Sequence, residues 1–258
     1  MEESKNSAAV VDAADETSTA MVCAGGETGL EELQPEDFVV PICSIVQEKS
    51  KIGERSAQPD EIGRIYNPVT GCVAEVISVI PIVFAKTRLM MPSEYEENNR
   101  PVCGSLDFQY PSDVFLNPDD DTNPTIQAGP CATCPYAQWS RSKAGKPKPP
   151  ACWEVWNFLF LGDDFSPFWM RFKVTALAGA KRYVSALQIA MQIQKGKMWH
   201  FRSDLSVVKG SKAWVPSFGK PTILDDETRA ELNEIRTAMS TLRPPHGRAE
   251  KKEEDIPF

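Results

Sequence analysis

The sequence predicts a mainly β fold with some α structure: a small, partly closed β-barrel that carries a cysteine-rich insertion. Strand-like segments rich in Val, Ile and aromatic residues follow one another after residue 62, and one helical segment interrupts them. Four of the seven cysteines fall between residues 91 and 152, in a stretch rich in Pro, Asp, Asn and Gly. A loop of this length is uncommon inside a compact domain unless something organises it, so the insertion is expected to be ordered.

The N-terminal residues 1–36 are expected to form a disordered acidic arm. They are mainly Ala, Ser, Thr, Glu and Asp, with too few large apolar side chains to offset the entropy lost on ordering. An apolar stretch over Phe38–Ile42 follows and predicts an extended segment that docks on the edge of the domain. The folded domain itself is assigned to residues 37–224.

Turn signals and β-propensity define the strands of this domain. The turn Asn67–Gly71 separates Ile65–Tyr66 from a long strand over Cys72–Phe84, which predicts a hairpin. Four more strands are expected, over Glu154–Leu161, Pro167–Val174, Met198–Val208 and Ala213–Phe218. The residues expected in the barrel interior are Trp153, Trp156, Phe158 and Phe160.

Two helices are predicted. Apolar residues at helical spacing among Ala and Lys indicate the first, over Thr175–Ile193. The second is an amphipathic helix over residues 225–242, with an Asp cap at its start. Residues 243–258 are expected to be a flexible linker that ends in an acidic tip.

The chain is expected to be a soluble, cytoplasmic protein. No apolar run approaches the length needed to span a bilayer, and the N-terminus is acidic where a signal peptide would be basic. In a reducing compartment, an odd number of cysteines argues against a disulfide framework. Metal binding is therefore the better explanation to consider.

The cysteine spacing predicts a structural zinc site. Cys131 and Cys134 are separated by two residues, which lets both thiolates point into one tight turn. Cys103 and Cys152 would complete a four-thiolate set and order the insertion over residues 103–152. Unligated cysteines and a redox-active pair stay open as alternatives. The Cys-x-x-Cys also matches half of a zinc deaminase signature, but no Glu stands two residues after an upstream ligand, so a catalytic zinc is not expected.

The net charge of −8 conceals a strongly basic region. Residues 141–220 contain 14 Lys and Arg against 4 Asp and Glu, a local charge of +10, and all six Trp lie between residues 136 and 218. Proteins that bind single-stranded nucleic acid combine cations along the phosphates with aromatic faces on which bases stack. The residues expected to contact DNA are Trp139, Arg141, Lys143, Lys146, Lys148, Arg171, Lys173, Lys181, Arg182, Lys197, Trp199, Phe201, Arg202, Lys209, Lys212 and Trp214.

Two features of this region refine the expectation. The basic loop Lys143–Lys148 lies between two predicted zinc ligands, so it would be held in place as a phosphate clamp. In a strand, Lys197, Trp199 and Phe201 would share one face, which would place a cation beside two stacking surfaces.

The last residues, Glu253–Phe258, closely resemble the acidic tip of bacterial single-stranded DNA-binding proteins, which ends in Asp-Ile-Pro-Phe. In that family the Phe fills an apolar pocket of a repair or replication enzyme, and its carboxylate meets a basic residue. The resemblance implies a partner-binding role for Asp255, Ile256, Pro257 and Phe258. The chain length, acidic arm and cysteine-bearing insertion look more like phage single-stranded DNA-binding proteins, of which the T-even type carries a zinc site beside an OB-fold.

These expectations describe a non-enzymatic protein with an OB-like barrel that coats single-stranded DNA in phage or bacterial replication, recombination and repair. It would recruit enzymes through Phe258, and its acidic tail would occupy the basic groove when DNA is absent. A strand-annealing recombination protein and a homo-oligomeric assembly stay open. A zinc-dependent nucleic-acid enzyme is disfavoured, because no evident carboxylate cluster exists among the acids of the basic region: Glu154, Asp163, Asp164 and Asp204.

Overall fold

The structure is a computed structural model that describes residues 40–91, 101–112, 115, 129–142, 144–240, 242 and 244. Three of the expectations above lie outside these residues: the arm over residues 1–36, the contact by Lys143, and the tip formed by Asp255, Ile256, Pro257 and Phe258.

The described residues form fourteen strands, two α-helices and three short 3-10 helices. The strands are β1 (Ile42–Ile45), β2 (Lys51–Ile52), β3 (Arg55–Ser56), β4 (Ile65–Tyr66), β5 (Val73–Ala74), β6 (Val76–Met90), β7 (Cys103–Ser105), β8 (Ser140–Arg141), β9 (Pro147–Lys148), β10 (Cys152–Leu161), β11 (Pro167–Lys173), β12 (Phe201–Lys209), β13 (Trp214–Phe218) and β14 (Thr222–Ile223). The helices are α1 (Leu177–Gln194) and α2 (Asp226–Met239), and the 3-10 helices are Pro135–Ala137, Val174–Ala176 and Met198–His200.

Ten of these strands make one curled, half-barrel sheet. Its hydrogen-bonded order is β13-β12-β6-β10-β11-β1-β4-β5, with β14 added beside β12 and β7 beside β6. The curl follows from β6, whose first residues, Val76–Val79, pair with β12 while Ile80–Met90 pair with β10. A register shift at Leu159/Phe160 adds to the bend, because a bulge increases local twist.

Two apolar clusters lie on opposite faces of this sheet. Alternate residues of a strand point to opposite faces, so Phe158 and Phe160 fall in one cluster and Leu159 and Leu161 in the other. Helix α1 packs on the first cluster through its buried side chains, with the Tyr183 ring stacked on Phe218 at a centroid distance of 4.0 Å. Helix α2 covers the second cluster through Leu232, Ile235 and Met239.

The prediction of a mainly β fold is confirmed, and several elements fall where the sequence placed them. The hairpin β4–β5 turns through Asn67, whose side-chain oxygen accepts the backbone N–H of Val69 at 3.0 Å. Helix α2 is capped by Asp225, whose carboxylate accepts the Thr228 N–H at 2.8 Å.

Two local predictions were wrong. The segment Met198–His200 is a 3-10 turn, so β12 begins at Phe201 and the expected alternation over residues 197–201 does not exist. Trp153 lies on the face of β10 opposite to Trp156, because their separation is an odd number of residues, and it is only partly buried. Among the residues that the structure describes, no helix is long and apolar enough to cross a membrane.

Candidate nucleic-acid interface

A groove of about 800 Å³ opens beside the outer end of β11. The groove is lined by β1 and the residues that follow it as far as Lys49, and by the segment Lys209–Trp214, which connects β12 to β13. Its floor includes side chains of β10 and β11 that alternate along each strand with residues of the first apolar cluster. The groove thus lies where β1 leaves β11 after only two paired positions, Ile42 with Trp169 and Cys43 with Met170.

The floor carries two cations without a described acidic partner. Arg171 and Lys173 are two residues apart on β11, so both point away from the first apolar cluster, and they pair in the sheet with Asn157 and Val155 of β10. Partial burial lowers the pKa of the Arg171 guanidinium, and burial together with the Arg171 charge lowers the pKa of Lys173. A guanidinium stays charged at neutral pH, so this part of the groove holds positive charge that an anion would stabilise.

Some cations elsewhere in the described structure are paired with acids, unlike these two. Lys181 lies 3.4 Å from a Glu154 carboxylate oxygen, and Arg202 lies 3.7 Å from one of Asp163. The groove margin adds three further cations, Lys49, Lys209 and Lys212, and one acid, Glu48. The groove lining therefore holds five cations against one acid.

Two tryptophans line the same groove. The ammonium of Lys173 lies 5.3 Å from the ring centroid of Trp153, and that of Lys209 lies 5.8 Å from the ring of Trp214. Both rings are partly buried, so each retains exposed surface. Each tryptophan is thus paired with a cation, an arrangement that offers a flat apolar surface next to a positive charge.

Trp214 is positioned by the N-terminal part of the domain. The side-chain amide of Gln47 donates to the Trp214 carbonyl at 2.9 Å and accepts the Trp214 N–H at 2.9 Å, which reproduces the pairing of a β-strand neighbour. The indole packs on Gly63, where a Cβ would lie 2.6 Å from the ring. Gly63 has a φ of +80°, which also favours glycine, so the backbone here fits the ring closely.

Five of the residues predicted to contact DNA line this groove: Arg171, Lys173, Lys209, Lys212 and Trp214. Four more lie together on the exposed hairpin β8–β9 and just before it: Trp139, Arg141, Lys146 and Lys148. Lys181 and Arg182 are on the surface of α1 instead, and Lys181 is paired with Glu154. The structure therefore divides the predicted set among separate surfaces.

The remaining predicted residues lie in or beside the 3-10 turn over residues 198–200, under α2. Trp199 donates its indole N–H to Asn233 at 3.0 Å and is flanked by Lys197 and Arg236, 5.2 and 5.0 Å from its ring centroid. Phe201 has 0 % exposure in the first apolar cluster, so it presents no face to a base. Arg202 is engaged by Asp163. These side chains therefore already contact other residues of the protein.

The four predicted zinc ligands lie near one another at the far end of the sheet. Cys103 and Cys152 flank Met90 on its two neighbouring strands, and the turn from Cys131 is closed by the Cys134 N–H donating to the Cys131 carbonyl at 3.3 Å. Burial, together with the neighbouring thiols of Cys103, Cys131 and Cys134, raises the pKa of Cys152 to about 12, although the Arg88 charge acts in the opposite direction. Even so, no three His, Cys, Asp or Glu side chains in the described ranges converge into a group that could hold a metal ion.

Several groove residues were missed by sequence reasoning. Trp153 was expected in the interior, although its odd offset from Trp156, Phe158 and Phe160 placed it on the other face. Gln47 acts through hydrogen bonds between segments 167 residues apart, for which the sequence carries no signal. Comparison of the chain with family models, curated proteins and solved structures finds no match.

Proposed function

We propose that the protein binds single-stranded DNA in the groove floored by β10 and β11. One observation carries the proposal. A single cavity is lined by two cations that lack a described acidic partner, Arg171 and Lys173, and by two tryptophans, Trp153 and Trp214. A polyanion with flat apolar bases is the ligand that satisfies both sets of groups.

The sheet order supports the same reading. Strands β6, β10 and β11, then helix α1, then β12 and β13 follow one another as in an OB-fold, and we assign the domain to that architecture. In OB-folds, the face of the second and third strands and the loops at its margin bind oligonucleotides. Those elements correspond here to β10, β11 and the loop between β12 and β13, which together form the groove.

The chemistry selects single strands over duplexes. Bases that stack on Trp153 and Trp214 must expose their faces, which they do not do inside a duplex. Phosphates would contact Arg171, Lys173 and the groove-margin lysines, so counterions are released and affinity falls as salt rises. Such contacts read no base sequence, which suits a protein that coats and protects whatever single strand arises in replication, recombination or repair.

A fluorescence titration tests this function. Oligo-dT and a matched duplex are titrated into the full chain at two salt concentrations, with tryptophan emission as the readout. The expected result is strong, salt-sensitive quenching by the single strand alone. Equal binding of the duplex, or an affinity indifferent to salt, would overturn the proposal.

The proposal includes a structural zinc ion held by Cys103, Cys131, Cys134 and Cys152. Four neighbouring thiols are the donor set that structural zinc prefers, and when bound the ion would tie the turn after Cys131 to the sheet. The test is metal content of the purified chain, with one zinc per chain expected and much less in Cys131→Ser. Cys72→Ser, at an exposed position, serves as the control, and a metal-free wild type would refute the assignment.

The proposal also includes recruitment of partner enzymes by Asp255–Phe258, a role implied by their resemblance to the tip of bacterial single-stranded DNA-binding proteins. Its test is binding to a purified bacterial repair enzyme that takes such tips. Deleting residues 250–258 should abolish that binding, and Phe258→Ala should weaken it strongly because the apolar anchor is lost. Unchanged binding of the deletion variant would remove this part of the proposal and leave the groove untouched.

A further inference from the structure

Trp139 differs from the other five tryptophans in having no protein partner in the described structure. It is 70 % exposed, whereas Trp169 is buried. The remaining four each have at least one ammonium or guanidinium within 6 Å of the ring centroid: Trp153, Trp156, Trp199 and Trp214. A large aromatic ring that is mostly exposed is the best stacking surface that the described chain offers.

The surroundings of Trp139 are positively charged. The hairpin β8–β9 follows it directly, with exposed Arg141, Lys146 and Lys148. Between residues 129 and 150 the sequence contains no Asp or Glu. Gly145, at a φ of +74°, closes the hairpin turn, in which the Ser142 N–H donates to the Lys146 carbonyl at 2.9 Å. The cations are thus presented on a paired hairpin and lack described acidic partners.

A short segment joins this hairpin to β10, a strand that lines the groove. The 3-10 helix Pro135–Ala137, two residues before Trp139, contacts β10 and buries Ala137. After β9, only residues 149–151 separate the hairpin from β10, whose second residue, Trp153, lines the groove. Five residues from Lys148 to Trp153 span at most about 18 Å, so the two surfaces are neighbours.

We propose that Trp139 and the hairpin β8–β9 form a second contact surface for the strand of DNA that leaves the groove at its Trp153 end. The inference rests on the proposed function and divides binding into two parts. A base stacks on the open ring of Trp139, and Arg141, Lys146 and Lys148 contact the adjoining phosphates. A short oligonucleotide fills the groove alone, while a longer one contacts both surfaces.

Length dependence tests the inference. Labelled oligo-dT of about 5 and about 20 nucleotides brackets the range of strand lengths that one OB-fold occludes. Trp139→Ala should weaken binding of the longer strand about tenfold, the effect of losing one stacked base, and leave the shorter strand unaffected. Trp139→Phe should restore most of the loss, because a ring is again available.

Matched measurements make the outcomes distinct. Trp214→Ala, in the groove, should weaken both lengths, and the unfolding midpoint of Trp139→Ala in urea should equal that of the wild type because the side chain is exposed. Equal loss for both lengths, or no loss for either, would overturn the second surface; the latter result would assign Trp139 to a protein partner. If the wild type binds neither strand, the proposed function itself fails.

Discussion

Two basic segments with similar sequences lie in opposite environments. Lys209–Trp214 and Lys195–Arg202 each combine Lys, Gly and Trp in a short run. Trp214 borders an open groove with one cation over its ring, whereas Trp199 is bonded to Asn233 and flanked by two cations under α2. The same residue pattern therefore lines an open groove in one place and packs inside the protein in the other. The two segments differ in the surroundings of the tryptophan ring, which other side chains of the protein enclose at Trp199 and which faces a groove at Trp214.

Charge reversal in the groove is expected to have the largest effect. The variant Arg171→Glu/Lys173→Glu removes two phosphate contacts, each worth about tenfold in affinity near 0.1 M salt, so binding of oligo-dT should fall about a hundredfold or more. The slope of log affinity against log salt should also become shallower by about two. Both quantities come from fluorescence titrations at several salt concentrations.

A control with the same change in net charge accompanies that variant. Arg182→Glu/Lys195→Glu reverses two exposed cations on and just after α1, away from the groove. It should cost much less affinity, because only the long-range field changes and salt screens it. A control loss as large as the groove loss would show that the groove is not the site.

Truncating the two tryptophans tests the comparison directly. Trp214→Ala should weaken oligo-dT about tenfold through lost stacking. Trp199→Ala should leave that affinity nearly unchanged but lower the free energy of unfolding by about 2 kcal/mol, since a partly buried ring is removed from beneath α2. Affinity and urea midpoints are measured on both variants, and an affinity loss confined to Trp199→Ala would reverse the assignment of the two segments.

A smaller effect is expected from Gly63→Ala, which leaves every cation and every aromatic side chain of the groove in place. The methyl group meets the Trp214 indole at 2.6 Å, and the φ of +80° strains any L-residue. The variant should lose about 1–2 kcal/mol of stability and a few-fold in oligo-dT affinity, because the ring must shift. Gly53→Ala shares the positive φ but meets nothing within 4 Å, so it should affect stability alone.

The smallest expected effect is a pH dependence confined to the α2 side. The pKa of His200 is lowered chiefly by burial, with Arg229 and Lys197 lowering it further and Asn233 opposing them. The folded state thus favours the neutral imidazole, so stability should decrease as pH falls below about 6.5, where the unfolded chain takes up the proton more readily. His200→Gln should remove this part of the decrease in urea midpoint, and His246→Gln should not. If the decrease in urea midpoint is the same in His200→Gln as in the wild type, another group is responsible for it.

Local signals predicted much of the fold. The helices α1 and α2, the Asp225 cap and the hairpin around Asn67 follow from periodicity and turn chemistry, which act over a few residues. The 3-10 turn over Met198–His200 was missed because its residues also suit a strand, and contact with α2, 34 residues away, decides the outcome.

The candidate site was predictable in composition but not in arrangement. The concentration of Lys, Arg and Trp is visible in the sequence, and five of the predicted residues do line one groove. Which cations carry an acidic partner depends on pairs such as Lys181 with Glu154, 27 residues apart. The groove itself exists because β1 separates from β11 after two paired residues, a property of tertiary packing that no local pattern encodes.

The pairing of Met90 with Cys152 has a consequence for how this protein can be altered. The excursion over residues 91–151 leaves β6 and returns on β10 at directly paired positions, so its two ends are already closed by ladder hydrogen bonds, and within it β7 pairs with β6 again. The entropy of loop closure changes only slowly with loop length, by about 0.6 kcal/mol per doubling. We therefore expect the ladder of β6 and β10 to keep its register when the excursion is shortened or replaced by another module, although the pairing of β7 is then lost.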